Sequence, residues 1–128
     1  MTPDKPQVSV VLSVAGPDDR LETAIDLLLS QTHTPEVVVT VDGAPDLAAY
    51  LADRYRDDPV VIDHTPGASG LSAARNRGAS VADGEIIAFT DADCEPARSW
   101  VAELVRCYES RDALAAGGPA VPSWPADR

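Results

Sequence analysis

The stretch Glu85-Ile86-Ile87-Ala88-Phe89-Thr90-Asp91-Ala92-Asp93 decides the fold. Its first six residues form a mostly apolar run of strand length, which predicts a buried β-strand. The strand delivers two carboxylates, Asp91 and Asp93, to the edge of a sheet, where open α/β folds bind ligands. Carboxylate oxygens are hard ligands suited to Mg²⁺ or Mn²⁺, and these ions commonly bridge phosphates. The alternative is that the acids only end the strand and open a helix, because Pro96 suits a first helical position.

The rest of the chain alternates strands with helices. Apolar β-branched runs predict strands, and apolar residues at helical spacing predict helices. The predicted strands cover 8–14, 36–41, 60–62 and 85–90, and the predicted helices cover 21–29, 47–55, 71–81 and a stretch from 96 onward. This alternation predicts an α/β fold, a three-layer α/β/α sandwich around a mostly parallel sheet. We expect one domain over 1–118, with Leu114-Ala115-Ala116 starting a further strand, and an irregular Pro-rich tail over 119–128.

Polar residues follow several of these strands at the point where each strand ends. Ser13, Asp42, Asp63 and Asp91 each lie at or just past the carboxyl end of a predicted strand. Parallel strands bring those ends to one edge of the sheet. We therefore expect Asp42, Asp91 and Asp93 to line a common cleft.

Composition excludes some classes of partner. The 128 residues carry 10 Lys and Arg against 21 Asp and Glu, a net charge of −11, which argues against binding to nucleic acid or anionic membrane surfaces. Such acidity suits a protein that stays soluble in high salt, so a halophilic source is one hypothesis and an ordinary acidic cytosolic protein is the other.

Cysteine spacing, apolar stretches and the first residues bear on the compartment in which the protein works. Cys94 and Cys107 have no metal-type spacing and form no disulfide framework, so both are expected to be reduced. No apolar stretch approaches the roughly 20 residues of a membrane span, and 1–5 lack signal-peptide features. We expect a cytoplasmic protein without a membrane segment.

Five ordered blocks of this sequence resemble the amino-terminal half of a family 2 glycosyltransferase, an inverting enzyme with the GT-A fold that uses a nucleotide sugar. The blocks are Val8-Ser9-Val10-Val11-Leu12-Ser13, Gln31-Thr32-His33-Thr34-Pro35-Glu36-Val37-Val38-Val39, Asp42-Gly43-Ala44-Pro45-Asp46, Gly70-Leu71-Ser72-Ala73-Ala74-Arg75-Asn76-Arg77-Gly78-Ala79 and Asp83-Gly84-Glu85-Ile86-Ile87-Ala88-Phe89-Thr90-Asp91-Ala92-Asp93. The resemblance implies a Rossmann-like nucleotide-binding half.

The resemblance also implies roles for individual residues. Ser13 matches a position against the nucleotide, and Asp42 matches an acid that hydrogen-bonds the base, commonly uracil, so a UDP-sugar is the expected donor. Arg75 would face the nucleotide or diphosphate. Asp91 matches the first acid of the metal motif, near the ribose and diphosphate, and Asp93 matches the acid that coordinates Mn²⁺ or Mg²⁺.

Arg75 and the neighbouring Asn76 each have an alternative reading as helix-surface residues, Arg75 paired with one of the many acids.

The chain departs from the family pattern at the nucleotide contacts. Leu12-Ser13-Val14-Ala15-Gly16 replaces the usual Pro-Thr-Tyr-Asn region, Val41 stands where an acid often precedes Asp42, and Ala44 stands where Ser is usual. The donor identity is therefore open. No catalytic base is identified within the chain; the general base and acceptor site are expected beyond residue 128, so this chain alone is expected to be incomplete and inactive.

Other classes fit less well. A receiver domain needs a lysine late in the chain, and Lys5 is the sole lysine. A phosphatase with an aspartyl nucleophile has its Asp-x-Asp after the first strand, whereas here three strands precede it. The remaining alternative is a truncated or non-catalytic nucleotide-binding fragment. A sheet edge left exposed in such a fragment would favour homo-oligomers.

Overall fold

A computed structural model of the chain describes residues 7–67 and 70–111, in which four strands alternate with four helices. The elements in chain order are β1 (Val8–Val14), α1 (Leu21–Leu29), β2 (Glu36–Asp42), α2 (Pro45–Arg54), β3 (Val60–Thr65), α3 (Leu71–Val81), β4 (Ile86–Thr90) and α4 (Trp100–Arg111). The predicted alternation of strands and helices is confirmed.

The four strands form one parallel sheet in the order β3-β2-β1-β4. β1 lies in the interior of the sheet, where Val10 is paired with Val37 on one side and Ala88 on the other. The chain builds β2 and β3 on one side of β1 and then crosses back to add β4 on the other side. The order of strands therefore reverses between β1 and β4, and such a switch point opens a crevice at the carboxyl ends of the strands.

One face of the sheet carries the main apolar core. Side chains alternate between the two faces of a strand, so every second residue of β1 and β2 points to this face. The buried residues are Val8, Val10, Leu12, Val14, Val37, Val39 and Val41 from these strands, together with Ala88, and with Leu21, Ile25, Leu28, Leu51, Tyr55, Val101, Leu104 and Val105 from α1, the α2 region and α4. These three helices thus cover one side of the sheet.

The opposite face is covered by α3, which packs closely because it carries a glycine. A Cβ atom added to Gly78 would lie 2.4 Å from Val11 Cγ1 and 3.1 Å from Thr40 Cγ2. The absence of a side chain therefore sets the height of α3 above β1 and β2. Helices on both faces of a parallel sheet confirm the predicted three-layer architecture.

The turn before β4 is fastened to the amino end of the sheet. Gly84 N–H donates to Ser9 Oγ at 2.8 Å, and the same hydroxyl donates to Glu36 Oε1 at 2.7 Å. Glu36 Oε1 also accepts from Asp83 N–H at 3.0 Å. This network places the start of β4 beside β1, and thereby fixes the point where Asp91 emerges at the other end.

The start of α4 was predicted wrongly. Pro96 was expected in its first turn, but the helix begins at Trp100. In a helix running through this stretch, Val101 N–H would donate to the carbonyl of Ala97, four residues earlier. Instead the buried amide of Gln31 lies between them: its Nε2 donates to Ala97 O at 2.7 Å, and its Oε1 accepts from Val101 N–H at 3.0 Å. A tertiary contact with the end of α1 therefore delays the helix.

The bounds of other elements differ modestly from the prediction. β3 continues to Thr65, because its residues 63–65 pair with β2 despite their polarity. Asp63 is therefore inside a strand, and its carboxylate accepts from Arg77 Nε of α3 at 2.7 Å rather than reaching the carboxyl edge. α2 begins at Pro45, two residues before the predicted start.

Three predictions remain, and they concern the carboxyl-terminal segment, the cysteines and membrane-spanning helices. The predicted strand start at Leu114-Ala115-Ala116 and the tail over 119–128 lie outside the described residues. Cys94 and Cys107 are not joined by a disulfide in the structure. Within the described ranges, no helix is both long and apolar enough to cross a membrane.

Candidate functional site

The loops that follow β1 and β4 enclose a cleft of about 470 Å³, which we call the β1–β4 cleft. Its walls come from three parts of the chain. The lining residues are Ser13 to Asp18 and Arg20 from the end of β1 and the loop after it, Asp91 to Asp93 after β4, and Arg75 on α3. The cleft lies at the switch point of the sheet, which is where the strand order favours a ligand site.

A tight turn after β4 presents the carboxylates of Asp91 and Asp93 to this cleft. Cys94 N–H donates to the carbonyl of Asp91 at 3.0 Å, which closes the turn. Ala92 between the two acids is buried in the apolar core and anchors the turn to the domain. One carboxylate oxygen from each acid and Cys94 Sγ all lie within 4.8 Å of one another, so these side chains could share a metal ion.

The chemistry of this donor set fits Mg²⁺ or Mn²⁺. Such ions are bound by one or two carboxylates, with substrate phosphates and water completing the coordination. Asp91 and Asp93 supply the two carboxylates. Cys94 is a softer ligand, and its thiol lies 3.8 Å from Asp93 Oδ1.

Arg75 enters the cleft from α3 and pairs with Asp91. Its Nη2 donates to Asp91 Oδ1 at 2.9 Å. The two side chains are 41% and 54% exposed, and ion pairs of this kind contribute only about 0–1 kcal/mol to stability. The pair is therefore weak enough for Arg75 to exchange Asp91 for an anionic ligand. Asn76, the neighbouring candidate, is exposed and is not among the residues that line the cleft.

Asp18 and Arg20 are site residues that the sequence analysis missed. Arg20 forms a two-pronged contact with Asp18, donating from Nε to Oδ1 at 3.1 Å and from Nη2 to Oδ2 at 3.2 Å. These hydrogen bonds lower the pKa of the Asp18 carboxyl and raise the pKa of the Arg20 guanidinium, to which the charge of Asp93 also contributes. Their position in the loop after β1 was the one feature of the sequence that could have indicated a role in the site, because that loop begins at the carboxyl edge of the sheet.

Ser13 lies at the floor of the cleft near the end of β1. Its hydroxyl oxygen accepts from the Thr40 hydroxyl of the neighbouring strand at 2.7 Å. Ala15 and Gly16, which follow in the same wall, have no polar side-chain atoms. The polar side chains of this wall are therefore those of Ser13, Asp18 and Arg20.

Asp42 is not among the lining residues of the β1–β4 cleft. It ends β2, which is separated from β4 by β1, and two strand spacings amount to about 10 Å. Its carboxylate is oriented by the Thr65 hydroxyl, which donates to Oδ1 at 2.8 Å, and by Gly70 N–H, which donates to Oδ2 at 3.3 Å. The structure thus gathers Ser13, Arg75, Asp91 and Asp93 in one cleft and holds Asp42 beside it on the same edge of the sheet.

The backbone beside Asp42 requires glycines. Gly43 and Gly67 have φ values of 79° and 112°, in the region that favours glycine, and a Cβ on Gly67 would lie 3.4 Å from Gly43 Cα. The backbones just past β2 and β3 therefore approach each other closely at Gly67 and at Gly43, which directly follows Asp42.

Comparison with known proteins identifies the family. The model of glycosyl transferase family 2 matches residues 9–127 of the chain. The chain belongs to this family.

A curated relative supports the assignment to the transferases. The glucosyl-dolichyl phosphate glucuronosyltransferase of Haloferax volcanii is 33% identical over 123 residues, which cover 92% of this chain and 39% of that protein. The chain therefore spans about two fifths of the length of this relative. The chain is therefore a domain of glycosyl transferase family 2.

Solved structures agree on the fold. A mannosyltransferase from Pyrobaculum calidifontis, solved with GDP-Man and Mn²⁺, superposes with a TM-score of 0.68 at 28% identity, over 81% of this chain and 32% of that one. The TarS protein of S. aureus superposes with a TM-score of 0.74 at 19% identity, over 91% of this chain and 38% of that one, a likeness of fold alone. These superpositions confirm the predicted α/β fold class.

Proposed function

We propose that this domain binds a nucleoside-diphosphate sugar together with a divalent cation, for transfer of the sugar to an acceptor hydroxyl with inversion. The observation that carries the proposal is the meeting of Asp91, Asp93 and Arg75 in one cleft at the switch point of the sheet. The mannosyltransferase solved with GDP-Man and Mn²⁺, whose fold this chain shares, supports both the class of donor and the need for a cation.

The charges that line the cleft explain why a cation is needed. Three carboxylates, those of Asp18, Asp91 and Asp93, face two guanidinium groups, those of Arg20 and Arg75, so the lining carries one net negative charge. A diphosphate would be repelled by that balance. One divalent cation reverses it to one net positive charge, and binding of a diphosphate becomes favourable. We therefore expect nucleotide binding to depend on the cation.

The remaining residues position the donor. Arg75 would donate to a phosphate oxygen, and Ser13 would contact the nucleotide at the floor of the cleft. The fixed Asp42 carboxylate would accept from a ring N–H of the base. Uracil and guanine present such an N–H, whereas cytosine and adenine do not, so UDP-sugars and GDP-sugars are the expected donors, with uracil as the base that the sequence favours.

Transfer needs an acceptor oxygen and a base to deprotonate it. The acceptor oxygen forms a bond to the anomeric carbon while the bond from that carbon to the diphosphate oxygen breaks, which inverts the configuration. The cation, when bound, neutralises charge that builds on the leaving diphosphate. We assign binding of the diphosphate to Asp91, Asp93 and Arg75, and place the base in a part of the protein other than the described residues.

Calorimetric titration of nucleoside diphosphates tests this function. We expect UDP or GDP to bind in the presence of Mn²⁺ or Mg²⁺, to bind far more weakly when the metal is chelated, and to exceed CDP and ADP in affinity. Asp93→Asn should abolish the gain from the metal because it removes one of two carboxylate ligands.

Glu95→Gln is the matched control. Glu95 is an exposed acid two residues further along the same segment, it does not line the cleft, and its replacement changes the charge equally. Metal-dependent binding that survives Asp93→Asn, or that Glu95→Gln reduces to the same extent, would contradict the assignment.

A further inference from the structure

We propose that Arg20 binds a phosphate of the donor and is the cation of the cleft that is already in place before the metal ion arrives. The inference rests on the proposed function and extends it to a residue in the loop after β1. Arg20 is the second guanidinium that lines the cleft, and it comes from the loop after β1, whereas Arg75 comes from α3.

The contact with Asp18 orients the Arg20 guanidinium but occupies only some of its N–H donors. A guanidinium has five N–H bonds, and Asp18 accepts from one on Nε and one on Nη2. Among residues 7–67 and 70–111, the Arg20 side chain donates to no other group. The N–H bonds of Nη1 thus stay available to a ligand, and the side chain, 62% exposed, is open to the cleft.

The backbone adds to the rigidity of this arrangement. Arg20 N–H donates to Asp18 Oδ1 at 2.9 Å, and Leu21 N–H donates to the Asp18 carbonyl at 3.1 Å. Leu21 is a buried residue at the start of α1. The Asp18–Arg20 unit is therefore anchored in the core through α1. A guanidinium held in this way loses less conformational entropy when it binds a phosphate.

The two arginines of the cleft differ in what holds them. Arg75 is held by Asp91, which belongs to the group of side chains that could bind the metal, so a cation competes with Arg75 for that carboxylate. Arg20 is held by Asp18, which is not part of that group. Binding of the metal therefore disturbs the anchor of Arg75 and leaves the anchor of Arg20 intact.

A capping role for the Asp18–Arg20 pair makes a different prediction. If the pair only stabilised the start of α1, replacement of Arg20 would change the stability of the domain and would affect the binding of every ligand alike. If Arg20 binds phosphate, its replacement affects ligands that carry phosphate and spares the free nucleoside.

Titrations of a nucleoside diphosphate and of its nucleoside, both with Mn²⁺, separate these readings. For Arg20→Ala we expect about a tenfold weaker affinity for the diphosphate, the loss of one charge-assisted hydrogen bond at an exposed site, and no change for the nucleoside. Arg20→Lys keeps the charge but not the forked contact with Asp18, and it should fall between wild type and Arg20→Ala.

The control is Arg56→Ala, which removes an exposed arginine paired with Asp53, away from the cleft. If the wild type binds the diphosphate and Arg20→Ala matches Arg56→Ala, the inference is overturned and the proposed function stands. Equal losses for diphosphate and nucleoside also overturn it. If the wild type itself shows no metal-dependent binding of the diphosphate, the proposed function fails, and the inference fails with it.

Discussion

Replacement of Gly78 by alanine tests the packing that places α3, and with it Arg75, over the sheet. The added Cβ would lie 2.4 Å from Cγ1 of Val11, whereas carbon atoms pack best at about 3.5–4.0 Å. Val11 is buried and its β-branched side chain is stiff about χ1, so it has little room to rotate away. We expect α3 to rise from the sheet by about 1 Å to relieve the overlap.

The expected loss of stability follows from two opposing terms. Overpacking of a buried contact costs about 1–3 kcal/mol, and the better helix propensity of alanine returns about 1 kcal/mol. The overlap with Val11 is deep, so the upper part of this range applies. We expect Gly78→Ala to lower the free energy of unfolding by about 1–2 kcal/mol.

Denaturant unfolding of four proteins measures the effect: wild type, Gly78→Ala, Val11→Ala and the double variant. Val11→Ala alone should destabilise by about 2 kcal/mol, because it removes two buried methyl groups. In the double variant the overlap with Val11 is gone, so the loss should be clearly smaller than the sum of the two single losses.

Gly16→Ala serves as the control, since no atom lies within 4 Å of the added Cβ and φ is ordinary. A Gly78→Ala variant as stable as Gly16→Ala, or strictly additive losses in the double variant, would refute the role of this contact.

Three further predictions concern stability. Tyr55→Phe removes a buried hydroxyl that donates to Asp26 at 3.0 Å, and it should lower the free energy of unfolding by about 1–2 kcal/mol. Tyr50→Phe, which loses an exposed contact with Glu22, should cause no measurable loss. Equal losses of stability for the two variants would contradict this prediction. The pKa of Tyr55 is raised above its ordinary value of 10.0, first by burial and then by the contact with Asp26. The contribution of the Tyr55 hydroxyl to the free energy of unfolding is therefore complete below about pH 10 and is lost at higher pH. The difference in stability between wild type and Tyr55→Phe should narrow above about pH 10. The net charge of −11 predicts, on the hypothesis of a halophilic source, that added KCl raises the melting temperature and the refolding yield, and full stability in dilute buffer would remove that hypothesis.

Local patterns of the sequence predict much of the fold. The β-branched run of β1 and the helical spacing of Leu21, Ile25 and Leu28 predict their elements with correct bounds, because β1 is buried on both faces and α1 packs against one of them. The position of Asp91 and Asp93 just past β4 was also predicted, because the apolar run of that strand ends at Thr90.

The missed features depend on contacts between distant residues. The late start of α4 follows from a single amide, that of Gln31, and no pattern near Pro96 indicates it. The presence of Arg20 in the cleft follows from β4 lying beside β1, an arrangement that the alternation of strands and helices leaves open. Local sequence thus predicts which loops end at the ligand edge, and the strand order decides which of them meet.

The pairing of β1 with β4 joins the first strand of the sheet to the last. Val8 is paired with Ile86, so the ligand edge is complete only after β4 has been synthesised and has paired with β1. A ligand that contacts both the loop after β1 and the loop after β4 would therefore stabilise the pairing of β4 with β1. Amide hydrogens of β4 should exchange more slowly with solvent when nucleotide and metal are present, while those of β2 and β3 should change least.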